Sequence, residues 1–168
     1  MPDIASHDRD GELLAACAEH GFDPALELQV GGRYRPLVRD ARTLYVSGQI
    51  PRVGDHIAVT GVVGVDVSLE RARRAAAICV LRALVLLRQE LGSLVRLQSV
   101  LRMNVFIHCD AGFTQLSEVA DGASDLLWRV LGSNGGAHTR TSVGVLQLPK
   151  NAAVELDLIA LSTDDAKA

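Results

Sequence analysis

The stretch SLERARRAAAICVLRALVLLRQELG, residues 68–92, does most to decide the fold. Ser68 is a good helix N-cap, and Glu70 lies where a carboxylate favours the positive end of a helix. Small and aliphatic residues then recur every three or four positions, which is the period of one helix face, and Gly92 ends the run. Those residues are Ala72, Ala76, Cys79, Ala83 and Leu86. Because the first of them are small, this helix is predicted to lie close against a sheet.

Strand-like runs flank this helix on both sides and predict an α+β sandwich. They are residues 24–30, 33–38, 43–50, 57–65, 97–109, 139–146 and 152–161. A second helix is predicted from a cap at Thr114 to about residue 131. The order from residue 57 onward is β-α-β-α-β-β, which favours one sheet with two long helices on a single face.

The chain length and apolar content predict one folded domain over residues 1–168. A domain has about 150 residues, and the chain has 168. Residues 1–30 are interpreted as an N-terminal extension with a short helix over residues 12–20 that ends at Gly21. The apolar fraction of 48% excludes disorder for most of the chain. The most apolar stretch, residues 75–91, is interrupted by Arg82 and Arg88, so no membrane span is predicted.

Charge and cysteine content restrict the function classes. The 17 basic and 20 acidic residues give a net charge of −3. A nucleic-acid-binding domain is usually clearly basic, so this charge does not indicate binding to nucleic acid. The three cysteines are odd in number and widely spaced, so they predict neither a disulfide framework nor a zinc knuckle. The first residues lack the basic and apolar regions of a signal peptide, and a cytoplasmic location is therefore predicted.

The last predicted strand has one apolar face and one mixed face. The mixed face alternates charged and aliphatic side chains, namely Glu155, Asp157, Ile159 and Leu161. A sheet face exposed to water is usually more uniformly polar. We therefore expect this face to meet another subunit.

Arg140 and Glu155 are the main candidates for chemistry. If their two strands are paired, both side chains reach the mixed face. A guanidinium binds a carboxylate through two parallel hydrogen bonds, and a partly desolvated carboxylate can orient or deprotonate water. The two groups in a subunit crevice would suit the addition of water to a small anionic substrate. A salt bridge within the sheet or between subunits is the alternative.

A second candidate segment is residues 44–51, LYVSGQIP. A strand that ends in Ser47 and Gly48 lets backbone N–H groups approach a ligand closely, because glycine has no side chain in the way. An ordinary strand end before a proline turn is the alternative.

Taken together, these segments resemble the RidA/YjgF family of reactive-intermediate imine deaminases. The resemblance runs from about Tyr34 to the end of the chain. It is anchored by YVSGQIP at residues 45–51 and by Arg140, LPK at residues 148–150 and Glu155. The N-terminal helix and residues 119–126 resemble the longer branch of that family.

The resemblance implies a chorismate-mutase-like fold in which three subunits pack their sheets into a central barrel, with active sites in the subunit clefts. The implied reaction is hydrolysis of a 2-imino acid, or its enamine tautomer, to a 2-oxo acid and ammonia. No metal or other cofactor is implied, and the implied partners are an imino or oxo acid and further copies of the chain. A trimer that only senses a 2-oxo acid is an alternative. A third alternative, an RNA-cleaving translation inhibitor, is opposed by the acidic balance.

The resemblance also implies roles for individual residues. Arg140 matches the arginine that clamps the substrate carboxylate, and Glu155 matches the glutamate that positions or activates water. The residues expected to line the pocket are Tyr34, Ser47, Gly48, Ser142 and Asp121. His138 is interpreted either as a proton carrier near Arg140 or as a solvated loop residue.

Overall fold

The structure is a computed structural model that describes residues 7–26, 28 and 30–164. Its helices and strands follow in the order α1 (Arg9–Glu19), β1 (Leu37–Asp40), β2 (Thr43–Gln49), β3 (Arg52–Val53), β4 (His56–Ile57), α2 (Leu69–Leu91), β5 (Leu97–His108), α3 (Leu116–Gly135), β6 (Thr139–Val145) and β7 (Val154–Ser162). Strands β3 and β4 form a small hairpin, and the other five strands form one sheet. The predicted α+β class is confirmed.

The five-stranded sheet has the order β1-β2-β7-β5-β6. Strands β5 and β6 are parallel, whereas the other neighbours are antiparallel. A parallel pair needs a crossover connection, and α3 supplies it, so β6 joins the outer edge of β5. Strand β7 then lies between β2 and β5. From the sequence alone, the last two strands, β6 and β7, are a possible pair. They do not pair, because β5 lies between them.

Helix α2 forms as its sequence predicts. The Ser68 side chain accepts a hydrogen bond from the Arg71 backbone N–H, and Gly92 ends the helix with a φ of 82°. Residues 75–87 are buried almost without interruption. This burial arises because α2 lies between the sheet, α3 and α1. Gly122 lets α3 approach the start of α2 closely, because a Cβ at that position would lie 2.1 Å from the Arg73 carbonyl oxygen.

Four predicted elements differ from the structure. The strand predicted at residues 33–38 begins only at Leu37 and continues to Asp40. Helix α3 begins at Leu116 after Gln115 rather than at a Thr114 cap, and it continues past a kink at Gly132. Of the strand predicted at residues 57–65, only Ile57 lies in a strand, and residues 58–65 form a loop that follows β4 and is tied to the sheet by isolated bridges. In this loop Val59 and Val63 are buried without being in a strand. Of the candidate strand at residues 24–30, the described residues form turns and irregular backbone, while residues 27 and 29 lie outside the described part of the chain.

Helix α1 is bonded to the rest of the domain at both ends: Glu19 in its last turn pairs with Arg129 of α3, and Asp10 lies in its first turn. The Asp10 carboxylate accepts hydrogen bonds from Arg88 Nε at 3.0 Å and from the Leu94 backbone N–H at 3.1 Å. It also accepts one from the Ser93 hydroxyl. The short predicted helix is confirmed, although it begins earlier, at Arg9.

The two faces of the sheet have different surroundings. Helices α2 and α3 cover one face, where side chains such as Met103 and Leu158 are fully buried. Large side chains on the other face are open to solvent in the single chain: Val38 is 50% exposed and Tyr45 is 46% exposed. That face is mixed in polarity, as predicted, and its contact with another subunit stays a prediction. Within the described residues, no helix combines the length and apolarity needed to cross a membrane.

Candidate functional site

A cleft of about 120 Å³ lies where β2 ends and β7 begins. Its walls come from the segment before β1, the end of β2, helix α2, the turn before β7 and β7 itself. The side chains that matter chemically are Tyr34, Gln49, Arg82, Lys150 and Glu155, with Gly48 between them. We call this space the Glu155 cleft. It contains three of the predicted site residues, namely Tyr34, Gly48 and Glu155.

Glu155 is the acidic group of the cleft. Its side chain is half-buried on the open face of β7. Burial raises the pKa of this carboxyl above its ordinary value of 4.5, and the nearby negative charge of Asp157 raises it further. A carboxylate with a raised pKa is a better proton acceptor near neutral pH than an ordinary glutamate.

Gly48 lies directly against this carboxylate. A Cβ atom at residue 48 would lie 2.1 Å from Glu155 Oε1. The contact is set up by a β-bulge: Val46 pairs with Leu158, but Gln49 pairs with Leu156. Two residues of β2, Ser47 and Gly48, therefore face one residue of β7. Glycine at residue 48 thus leaves room for the carboxylate.

Arg140 lies on the opposite face of the sheet. It is in register with Met103 of β5, which is fully buried beneath the helices. The guanidinium donates from Nη1 to Asp121 Oδ1 at 2.9 Å and to Ser124 Oγ at 2.8 Å. Its Nη2 donates to the Ser117 carbonyl oxygen at 3.2 Å. Helix α3 therefore fixes the head of this side chain.

Arg140 and Glu155 do not meet within one chain. Glu155 is in register with Phe106 of β5, whose neighbours Val105 and Ile107 face the helices. Glu155 therefore points to the open face, whereas Arg140 points to the helix face, and β5 lies between their strands. The expectation that both side chains reach the mixed face of one sheet is wrong, because it assumed that β6 and β7 are neighbours.

His138 belongs to the Arg140 network. Its Nδ1 lies 2.6 Å from the Gly136 carbonyl oxygen, and its Nε2 lies 2.9 Å from Ser124 Oγ. A neutral ring with its proton on Nδ1 satisfies both contacts, because Nε2 then accepts from the serine hydroxyl. Ser124 in turn accepts from Arg140. His138 therefore acts through Ser124 to hold Arg140, which neither sequence interpretation anticipated.

The other predicted site residues divide between the two faces. Asp121 and Ser142 are both half-buried, and Ser142 lies two residues beyond Arg140 on the same face of β6. Tyr34 borders the Glu155 cleft and is 52% exposed. The Ser47 hydroxyl donates to the Pro36 carbonyl oxygen at 3.0 Å and borders an adjoining groove rather than the cleft.

Arg82 is a cleft residue that the sequence analysis missed. Its side chain is only 5% exposed. Nε donates to Gln49 Oε1 at 3.2 Å, and Nη1 donates to the Arg52 carbonyl oxygen at 3.0 Å. Its signal in the sequence is a charged residue within the apolar run of residues 75–91.

The comparison with known protein families covers nearly the whole chain. Residues 13–161 match the model of a family described as "YjgF/chorismate mutase-like, putative endoribonuclease". The chain belongs to the YjgF family. The resemblance stated from residues 45–51 and the C-terminal signature is thereby confirmed. The chorismate-mutase-like character of this YjgF fold is confirmed as well.

Individual similar proteins and solved structures are consistent with this family assignment. Protein TCP17 of Trypanosoma cruzi is 39% identical over 126 residues, which cover 75% of this chain and 79% of that protein. A solved protein of unknown function from Agrobacterium tumefaciens is 35% identical with a TM-score of 0.80, covering 94% of this chain and 93% of that one. A structure described as a putative endoribonuclease from Shewanella oneidensis has a TM-score of 0.81 at 24% identity, covering 89% of this chain and 98% of that one.

Proposed function

We propose that this protein hydrolyses 2-imino acids to 2-oxo acids and ammonia. In the reaction, water adds to the carbon of a protonated imine, and the carbon–nitrogen bond then breaks. The iminium ion and one water molecule give the ketone and an ammonium ion, so atoms and charge balance. The observation that carries the proposal is the half-buried Glu155 carboxylate held against Gly48 in a small cleft.

Glu155 is assigned to the attacking water. Its raised pKa suits a group that takes a proton from water and returns it to the leaving amine. The imine carbon needs no further activation once its nitrogen is protonated. Tyr34 lines the same cleft and is 52% exposed.

Arg140 is assigned to the substrate carboxylate. A fork of N–H donors matches the two oxygens of a carboxylate, which fixes the plane of the substrate. Because Arg140 and Glu155 lie on opposite faces of one chain, the complete site requires Arg140 from a second copy. The exposed side chains of the open face, among them Val38, Tyr45 and Val143, give that copy a surface to pack on.

A closed ring of identical chains brings each Glu155 cleft to a neighbour's Arg140. We include the homotrimer in the proposal because the resemblance to the YjgF family implies three subunits, and three copies related by a closed rotation form such a ring. In it, Ser124 and His138 hold Arg140 before substrate arrives, which lowers the cost of ordering its side chain.

The direct test measures ammonia and 2-oxo acid release from an imine that a pyridoxal-phosphate dehydratase generates in the same vessel. We expect release faster than spontaneous hydrolysis and a loss of about 100-fold or more in kcat/KM for both Arg140→Ala and Glu155→Gln. An unaccelerated reaction, or full activity in either variant, contradicts the proposal. Binding of 2-oxo acids without turnover would identify the alternative, a sensor.

A further inference from the structure

Arg82 is a buried cation that the proposed reaction does not use. Buried charges are normally paired with an opposite charge, because moving an ion out of water is costly. Across residues 7–26, 28 and 30–164, no carboxylate forms a salt bridge with Arg82. The nearby charge of Arg52 has the same sign and does not compensate it.

The hydrogen bonds of Arg82 leave part of its guanidinium available. Gln49 and Arg52 each provide one neutral oxygen, to Nε and Nη1 respectively. A guanidinium has more N–H donors than these two bonds use. The guanidinium lies over the ring of Phe22, with the ring centroid 6.0 Å from the guanidinium carbon. Phe22 offers no hydrogen-bond acceptor. Among the described residues, the remaining N–H donors of Arg82 therefore have no acceptor, and they border the adjoining cavities.

Those adjoining spaces are two cavities that meet at Arg82. One is the Glu155 cleft, and the other is a cavity of about 260 Å³ beneath Phe22 and Leu26. Arg82 and Arg52 line both. Lys150 lines the cleft as well, so among the described residues the cations Arg82 and Lys150 border it beside the Glu155 carboxylate. An anionic group in the cleft would be attracted by both.

The pKa of Arg82 is that of a buried cation without a counter-ion in the described part of the chain. Burial lowers the pKa of this guanidinium below its ordinary value, while Cys79 acts to raise it and the nearby charge of Arg52 acts to lower it. A carboxylate placed against Arg82 would act against the lowering.

We infer that Arg82 forms a second anion subsite, which selects 2-imino acids with a second carboxylate at the far end of their side chain. This inference rests on the proposed function. Arg140 of a neighbouring copy binds the carboxylate next to the imine carbon, Glu155 serves the water, and Arg82 binds the distal carboxylate. The substrate class is the imines of dicarboxylic 2-oxo acids. Arg82 is a specificity residue in this assignment, since it lies away from the reacting bond.

The test measures the binding of product-like acids by calorimetry at fixed ionic strength. The probes are 2-oxoglutarate, its distal amide 2-oxoglutaramate, and the shorter 2-oxobutanoate. We expect the wild type to bind 2-oxoglutarate about tenfold or more tightly than either of the other two, since a charged hydrogen bond distinguishes them. Equal affinities for 2-oxoglutarate and its amide would overturn the inference without any variant being made.

Two variants separate recognition from a structural role. Arg82→Gln should reduce the preference for 2-oxoglutarate over its amide to about onefold, whereas Arg82→Lys should keep part of it. Arg88→Gln is the matched control, because Arg88 lies on the same helix and bonds to Asp10 away from the cleft. It should retain the wild-type preference even if its melting temperature falls. A preference that survives in a folded Arg82→Gln protein overturns the inference.

The binding experiment also separates the two proposals. A preference for the dicarboxylic acid without imine turnover would contradict the deaminase proposal and leave the anion subsite standing. Turnover of imino acids with no preference for the distal carboxylate would contradict the subsite alone.

Discussion

Gly48 and Glu155 are in direct contact across the bulge between β2 and β7, so that a Cβ at residue 48 would lie 2.1 Å from Glu155 Oε1. The backbone of Gly48 does not itself require glycine, because its φ is not in the left-handed region. What requires glycine is the space that the carboxylate occupies. The position of the proposed base is thus set by the absence of a side chain on the neighbouring strand.

Gly48→Ala should therefore displace the carboxylate and leave the fold intact. Because a shift of about 1 Å in a reacting group can cost about 100-fold, we expect a loss of that order in kcat/KM for imine hydrolysis. Gly31→Ala is the matched control: Gly31 lines the same cleft, but a Cβ there meets nothing within 4 Å. Similar activities for the two folded variants would refute this account of Gly48.

The raised pKa of Glu155 predicts the pH dependence of both activity and stability. As a base, Glu155 must be ionised, so kcat/KM should fall on the acid side with an apparent pKa above 4.5. Between 4.5 and the raised folded value, the native state binds more protons than the unfolded state. The free energy of unfolding therefore falls as pH rises through this window.

Glu155→Gln tests the stability part of this prediction, because glutamine has the same shape and no charge. The variant should be more stable than the wild type at pH 7, and the difference should vanish below about pH 4. Urea unfolding at a series of pH values measures it. Asp157→Asn is a useful companion, since removing its charge should bring the Glu155 pKa down and shift the acid limb of kcat/KM to lower pH.

The parts of the fold that the sequence predicts are those set by local chemistry. The cap at Ser68, the helical period and the stop at Gly92 lie within one segment, and α2 follows them. The order of strands depends on where the crossover through α3 places β6. The residues of β6 and β7 do not by themselves indicate which strand each one pairs with. Residues 57–65 misled the prediction for a related reason. The buried side chains among them, Val59 and Val63, need only a place in the core, which a loop provides as well as a strand.

The candidate site also has parts that the sequence predicts and parts that only the folded structure shows. Arg140 and Glu155 could be found because they match a family signature, but the network that holds Arg140 could not. Asp121 and Ser124 lie on α3, 16 to 19 residues away in the chain, and reach Arg140 only through the packing of that helix on the sheet. Arg82 shows a further limit. A charged residue in an apolar helix signals a buried role, but only the folded structure shows which space it faces.

The ion pair between Asp121 and Arg140 predicts competition with substrate. Asp121 Oδ1 occupies Nη1 of the guanidinium at 2.9 Å, with both side chains partly exposed. Asp121→Asn removes the competing charge and keeps a hydrogen-bonding group, so the affinity for 2-oxobutanoate should rise several-fold. Asp125→Asn is the matched control, because Asp125 lies one turn later on α3 and pairs with Arg73 instead. Weaker binding in Asp121→Asn would show that the carboxylate positions Arg140 rather than competing for it.

Asp10 should be the residue that fixes the N-terminal helix. Burial acts to raise its pKa, but hydrogen bonds from Ser93, the Leu94 backbone and Arg88 outweigh it, and the pKa lies below 3.8. Asp10→Asn should cost about 1–3 kcal/mol in the free energy of unfolding at pH 7, whereas Asp55→Asn, on a fully exposed side chain, should cost little. The cost should shrink as pH falls through the lowered pKa, since the stabilisation requires the ionised form. A cost that is constant from pH 7 to pH 2 would contradict the role of the charge.

Mixing two inactive variants tests whether each site is shared between chains. Arg140→Ala keeps Glu155, and Glu155→Gln keeps Arg140. In a ring where each cleft takes Arg140 from the next chain, random assembly from an equal mixture gives an intact site with a chance of one half times one half. Co-expressed variants should then recover about a quarter of the wild-type activity. Differently tagged chains, isolated by both tags, confirm that mixed oligomers have formed. If such mixed oligomers have no activity, the two residues do not meet across a subunit boundary, and the proposed site is wrong.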